Sequence, residues 1–175
     1  MIISRNHHIK YLADLKMNKI NKVLIALDYN PTAQKVAEAG FSMAKSMNAE
    51  VVLLHVIADP VFYSTAGYSP IMGFNGYMDL GSMQLDSVDG LKNVSLQYLD
   101  KSKRHLGDNT IRTMVKEGDF ADTILETAKE VNADIIVIGS HSRKWLENIV
   151  MGSVTEKVLH HTSIPLFIIP TKKQN

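Results

Sequence analysis

A chain of 175 residues suits one domain with a modest surplus, since a domain averages about 150 residues. The absence of cysteine excludes disulfides, thiolate metal sites and cysteine nucleophiles. Nineteen basic against eighteen acidic side chains leave a net charge of +1, which speaks against a protein that grips nucleic acid through bulk charge.

In chain order, residues 1–19 come first. Arg5, His7, His8, Lys10, Asp14 and Lys16 stand there among scattered apolar residues, without the apolar core and cleavage site of a signal peptide. They read as an N-terminal extension of a cytoplasmic protein, with Met17 as a second possible start. No apolar run in the chain approaches the ~18 residues of a membrane span, so no membrane association is expected. Lys22 to Asp28 is a continuous apolar run that stops at an acid, as in a strand buried on both faces. Asn30-Pro31 predicts a helix start, followed by an apolar stripe of Val36, Ala37, Gly40, Phe41, Ala44 and Met47. Ala49 to Ile57 predicts a second buried strand, in which His55 reads as a satisfied core histidine. Residues 58–90 form a variable loop, uncharged between Asp59 and Asp79 and rich in tyrosine, phenylalanine, methionine and glycine. It reads as a loop folded over the sheet edge or as a partner-binding surface. Leu91, Val94, Ser95, Tyr98, Leu99, Ser102 and Leu106 predict an amphipathic helix ending near Gly107.

The second half repeats the alternation. Thr110 to Lys116 reads as a strand nearer an edge, Asp119 as the cap of a helix, and Ala133 to Gly139 as another buried strand. Ser153 opens a helix, and Pro165 to Pro170 closes the domain as a short strand, with residues 172–175 as a tail. Strands alternating with helices imply one α/β domain over residues 20–171, a parallel sheet with helices on both faces.

Open sheets of this kind bind ligands outside the carboxyl ends of their strands, where the strand order reverses. If the first and fourth strands are neighbours there, Asp28 and the stretch from Gly139 through Ser142 to Gly152-Ser153 converge. Gly152-Ser153 precedes a helix whose first amides are unpaired and partly positive, a setting suited to phosphate. Arg143 and Lys144 add positive charge. Structural alternatives stand beside each residue. Ser153 and Glu156 match a capping box, Asp28 could cap the helix after Pro31, and Arg143 and Lys144 could be solvated charges. His141 shows neither ligand spacing nor a carboxylate partner, His160 and His161 fall in the last turn of a helix, where a cation is favoured, and no nucleophile–base pair or Walker-type lysine motif is visible.

Gly139 to Ser142, nine further residues and then Gly152-Ser153 resemble the signature G-x2-G-x9-G-[ST] of the universal stress protein family. Val154 to Val158 and Ile164 to Ile169 are similar to its closing helix and strand. The resemblance covers residues 22–170 and implies an open, doubly wound, five-stranded parallel sheet of order 3-2-1-4-5. It also implies ATP as a regulatory ligand, with Mg2+ as a companion of the phosphates. On it, backbone groups at Val56 would hold adenine and Asp28 the nucleoside. Gly139, Ser142, Gly152, Ser153 and the amide of Val154 would hold phosphates, with Arg143 beside them. Homodimerisation through residues 165–170 is implied as well. The departure is Ser142, where the signature has its second glycine. Serine keeps the amide but costs roughly 1–2 kcal/mol if that position is left-handed. Three readings follow: a nucleotide-binding stress-response protein; a nucleotide-free interaction module using residues 62–77 and an unknown protein partner; or a slow ATP hydrolase, for which no general base is visible.

Overall fold

The computed structural model describes residues 19–57, 88–140 and 151–171. Residues 1–18 of the N-terminal extension, residues 58–87 of the variable loop, Ser142, Arg143 and the C-terminal tail lie outside the described residues, and residues 88–90, expected at the end of that loop, are already helical. The elements run β1 (Lys22–Ala26), α1 (Ala33–Ser46), β2 (Glu50–Ile57), α2 (Val88–Leu106), β3 (Arg112–Glu117), α3 (Phe120–Glu130), β4 (Ile135–Gly139), α4 (Ser153–His161) and β5 (Leu166–Ile169). The five strands make one sheet of order β3-β2-β1-β4-β5, and every pairing is parallel. This is the expected order, with its reversal between β1 and β4.

Strand alternation divides the core into two. Val23, Ile25, Val51, Leu53 and Val137 point to one face, where they pack with Val36, Ala37 and Ala44 of α1 and Leu99 of α2. Leu24, Val52, Leu54, Ile136 and Ile138 point to the other, against Ile124 and Ala128 of α3 and Val158 of α4. A sheet covered on both faces needs apolar residues at consecutive positions, which is why β1, β2 and β4 read as continuous runs. β3 is an edge strand, as its alternating sequence implied.

The predicted boundaries shift in instructive places. β1 ends at Ala26 rather than at Asp28. α1 begins at Ala33 with Thr32 as its N-cap, so Asn30-Pro31 is a turn before the helix. The reason lies in Asn30, whose Oδ1 accepts from Thr32 N and Thr32 Oγ1 and forms a turn of its own. β3 begins two residues late, at Arg112, because Thr110 N instead donates to Asp108 Oδ1. Asp119 caps α3 as expected, accepting from Ala121 N and Asp122 N.

Candidate functional site

The site is built where the sheet order reverses. Ile25 pairs with Val137, so two residues further on Leu27 and Gly139 stand level, and the chain leaves both strands at the same height. Asp28 is exposed there. Its Oδ1 accepts from Asn30 N at 3.1 Å and bonds no amide of α1, so the expectation that Asp28 caps this helix is corrected.

Val56 lies one strand over and is 5% exposed. Leu54 O accepts from Leu27 N at 2.9 Å, so the peptide groups of Leu54 face β1. Alternation turns the N–H and C=O of Val56 to the same side, beyond Ala26, the last residue of β1. They border the space that β1 vacates.

Across the reversal, Gly139 closes β4. A Cβ there would lie 3.0 Å from Thr171 Cγ2 and 3.1 Å from Val36 Cγ2, so close packing alone already favours glycine. Gly152 is the N-cap of α4, in extended conformation and without a capping side chain. Ser153 is therefore the first helical residue. Glu156 N donates to Gly152 O at 2.9 Å, one residue out of register with the expected Ser153–Glu156 capping box, which does not form. No described residue accepts from the N–H groups of Ser153, Val154 and Thr155. These amides carry the positive end of the helix dipole.

Residues that the sequence did not mark hold this end together. Thr155 Oγ1 donates to Gly139 O at 2.8 Å and fastens the first turn of α4 to the end of β4. Thr171 N donates to Ser140 Oγ at 3.1 Å, and Ser140 N donates to Ile169 O at 2.9 Å. Thr155 and Thr171 are both buried. A hydroxyl at an otherwise core-facing position of a short helix was the only available signal for Thr155. Lys157 reaches Asp119 at 3.0 Å and Asp122 at 2.8 Å, tying α4 to the start of α3.

A second polar group underlies the β1 end. His55 is 3% exposed, and its Nδ1 lies 2.7 Å from Leu27 O. A carbonyl only accepts, so Nδ1 carries the proton and donates. Nε2 is buried without a partner, so the expected satisfied core histidine is only half satisfied. Burial pushes the imidazole down to about 4 and keeps it neutral. The ring packs against Tyr29 and Tyr98, with centroids 4.2 and 5.7 Å away. Among the described residues no cluster of metal-ligating side chains occurs, and no helix is long and apolar enough to cross a membrane.

Comparison with known proteins decides the family. The model described as Universal stress protein family matches residues 19–170. The chain belongs to that family. As a universal stress protein it is 27% identical to YxiE of Bacillus subtilis over 85% of this chain and 98% of the relative. It is 29% identical to MJ0531 of Methanocaldococcus jannaschii, over 90% and 86%. Among solved structures, a universal stress protein from Archaeoglobus fulgidus in complex with dAMP aligns with a TM-score of 0.55 and 19% identity, over 86% of this chain and 98% of that one. A universal stress protein in complex with cAMP aligns with a TM-score of 0.59 and 16% identity, over 89% and 100%. At these identities the two structures share the fold.

Proposed function

We propose that this universal stress protein binds ATP at the reversal between β1 and β4, as a regulatory ligand rather than a substrate. The observation that carries the reading is the first turn of α4. Three amides without described acceptors start beside the end of β4, behind an N-cap that has no side chain. In this reading the phosphates rest on Gly139, Gly152, Ser153 and the amide of Val154, with Ser142 and Arg143 completing the cradle and Mg2+ accompanying it. The base lies against the outward peptide groups of Val56, and Asp28 takes the nucleoside. Support also comes from two solved family members, one in complex with cAMP and one with dAMP. A site made of backbone amides needs no basic surplus, which fits a net charge of +1.

Thermal unfolding with and without Mg-ATP tests this. Ligand at a hundredfold its Kd adds about 2.7 kcal/mol, or roughly 5–10 °C for a domain of this size. Asp28→Ala should remove most of that shift. A folded protein whose Tm does not move at millimolar Mg-ATP would sink the reading.

Ser142 motivates the second reading, an interaction module that works without nucleotide through residues 62–77. Ser142→Gly separates the two. A variant that gains ATP binding absent from the parent supports the interaction module, and equal binding supports the first reading. We further propose a cytoplasmic homodimer joined through β5. Its support is the contrast between the two edges: β3 carries Arg112, Lys116 and Glu117, whereas β5 is Leu166, Phe167, Ile168 and Ile169 with no charge.

A further inference from the structure

We propose that Tyr98 and His55 are positioning residues that set the direction of the Asp28 side chain; the inference rests on the reading of Asp28 as the nucleoside ligand. Past Ala26 the strand ends, with Leu27 N still bonded to Leu54 O, and the next carbonyls are taken by side chains. His55 Nδ1 of β2 donates to Leu27 O at 2.7 Å, and Tyr98 Oη of α2 donates to Asp28 O at 2.7 Å. Those carbonyls belong to the two peptide planes on either side of the Asp28 Cα. Each plane is rigid, so fixing both oxygens fixes the Cα–Cβ direction between them. A third bond holds the next residue. Ser95 Oγ donates to Leu91 O, so its single proton is used, and Tyr29 Oη donates to Ser95 Oγ at 2.6 Å. Three consecutive residues, 27 to 29, are thus held by side chains 28, 70 and 66 positions away.

The cluster satisfies both carbonyls but leaves one buried atom of its own unpaired. The Nε2 of His55 is a buried acceptor with no partner, and leaving such a group unpaired is unfavourable. Leucine or phenylalanine at position 55 would fill the same layer and remove that orphan, but would leave the buried Leu27 carbonyl without its donor. Asp28 is exposed as a residue, while its carbonyl accepts from the hydroxyl of the buried Tyr98. Two buried side chains from separate elements thus converge on the two carbonyls that flank the one exposed residue between buried Leu27 and Tyr29, and that convergence is explained by what Asp28 carries. The phosphate side has separate ties, at Thr155 and Thr171, so the two halves of the site are held independently.

The independence gives the test. With Asp28 taken as acceptor for the ribose hydroxyls of the nucleoside, titrations of ATP and of 2′,3′-dideoxy-ATP against the full chain separate its contact from the phosphates. Tyr98→Phe removes one oxygen and keeps the ring packing. It should weaken ATP roughly fivefold, the size of one hydrogen bond, and leave dideoxy-ATP within twofold. His55→Leu should act the same way, and His55→Gln, which retains an N–H donor, should restore part of the preference. In an Asp28→Ala background Tyr98→Phe should change nothing further. Unfolding without nucleotide identifies any variant that fails to fold, and the other of the two positions then carries the test. Equal weakening of both nucleotides, no weakening of either, or a full effect of Tyr98→Phe without Asp28 would overturn the positioning role while leaving nucleotide binding intact. A wild-type protein that binds neither nucleotide would remove both.

Discussion

His55 has a second consequence, for stability against acid. The unfolded chain protonates this imidazole near 6.5 and the folded chain only near 4. Between those values the unfolded state binds more protons, so stability rises with pH through the window and falls on acidification. The full loss on going from pH 6.5 to 4 is about 3 kcal/mol. Urea unfolding across this range should show the midpoint dropping, and His55→Phe should flatten the dependence. The carboxyls of Asp119 and Glu38 are held below their usual values by hydrogen bonds, to Asp122 N and Lys157 for the first and to His105 and Gln34 for the second. Their contributions are lost only at lower pH, so they do not mimic this slope. At the residue scale the chain was only partly legible. The burial of His55 followed from its place in an apolar run. Its partner did not, because periodicity assigns a residue to a face and says nothing about which carbonyl lies 28 positions away. Tyr98 was readable as core for the same reason, and its bond to Asp28 was not. Ser153 and Glu156 fitted a capping box in one register, and the helix took the neighbouring one because an extended glycine can cap through its backbone alone.

Elements were legible wherever burial dictated them. The runs at Lys22, Ala49 and Ala133 suited strands covered on both faces, and the stripe from Leu91 to Leu106 suited a helix lying on one. What was misjudged were ends, where local side-chain bonds compete with the ladder, as at Asn30 and Asp108. Gly40 shows how closely the elements approach. It lies in the middle of α1, where alanine would improve helix propensity by up to ~1 kcal/mol. A Cβ there would stand 2.8 Å from Ile25 Cδ1 and 3.1 Å from Val137 Cγ1, and both side chains are fully buried. Overpacking of this kind costs about 1–3 kcal/mol and wins. Gly40→Ala should therefore lower stability, by up to ~2 kcal/mol in denaturant unfolding. The start of α3 is a simpler case. Asp119 caps it and also receives Lys157, so Asp119→Ala should cost about 1 kcal/mol, most of it from the cap, since the exposed lysine retains Asp122.

On the scale of the whole molecule, the alternation of apolar runs and amphipathic stripes pointed to the layered sheet, and the family signature to its strand order. The resemblance also implied a homodimer through residues 165–170, which a single chain does not test. Phe167 and Leu159 are each 43% exposed, and Phe167 lies on the uncharged edge strand. If β5 joins two copies, Phe167→Asp should convert a sedimenting dimer to a monomer without changing the helical signal in circular dichroism. A monomeric wild-type protein at micromolar concentration would reject that assembly.

The central strand also governs how the chain can be made. β1 lies between β2 and β4, and its ladder to β4 joins Val23 with Ile135 across more than a hundred residues. A nascent chain can pair β1 with β2 early, but the other side of β1 stays open until β4 has emerged. Long-range closure of this kind is slow and leaves an apolar strand edge exposed in the meantime. The reversal that brings the ends of β1 and β4 together in the finished protein therefore makes the half-made chain the vulnerable one. Truncations ending before Ile135 should aggregate, whereas chains reaching past Ile169 should not.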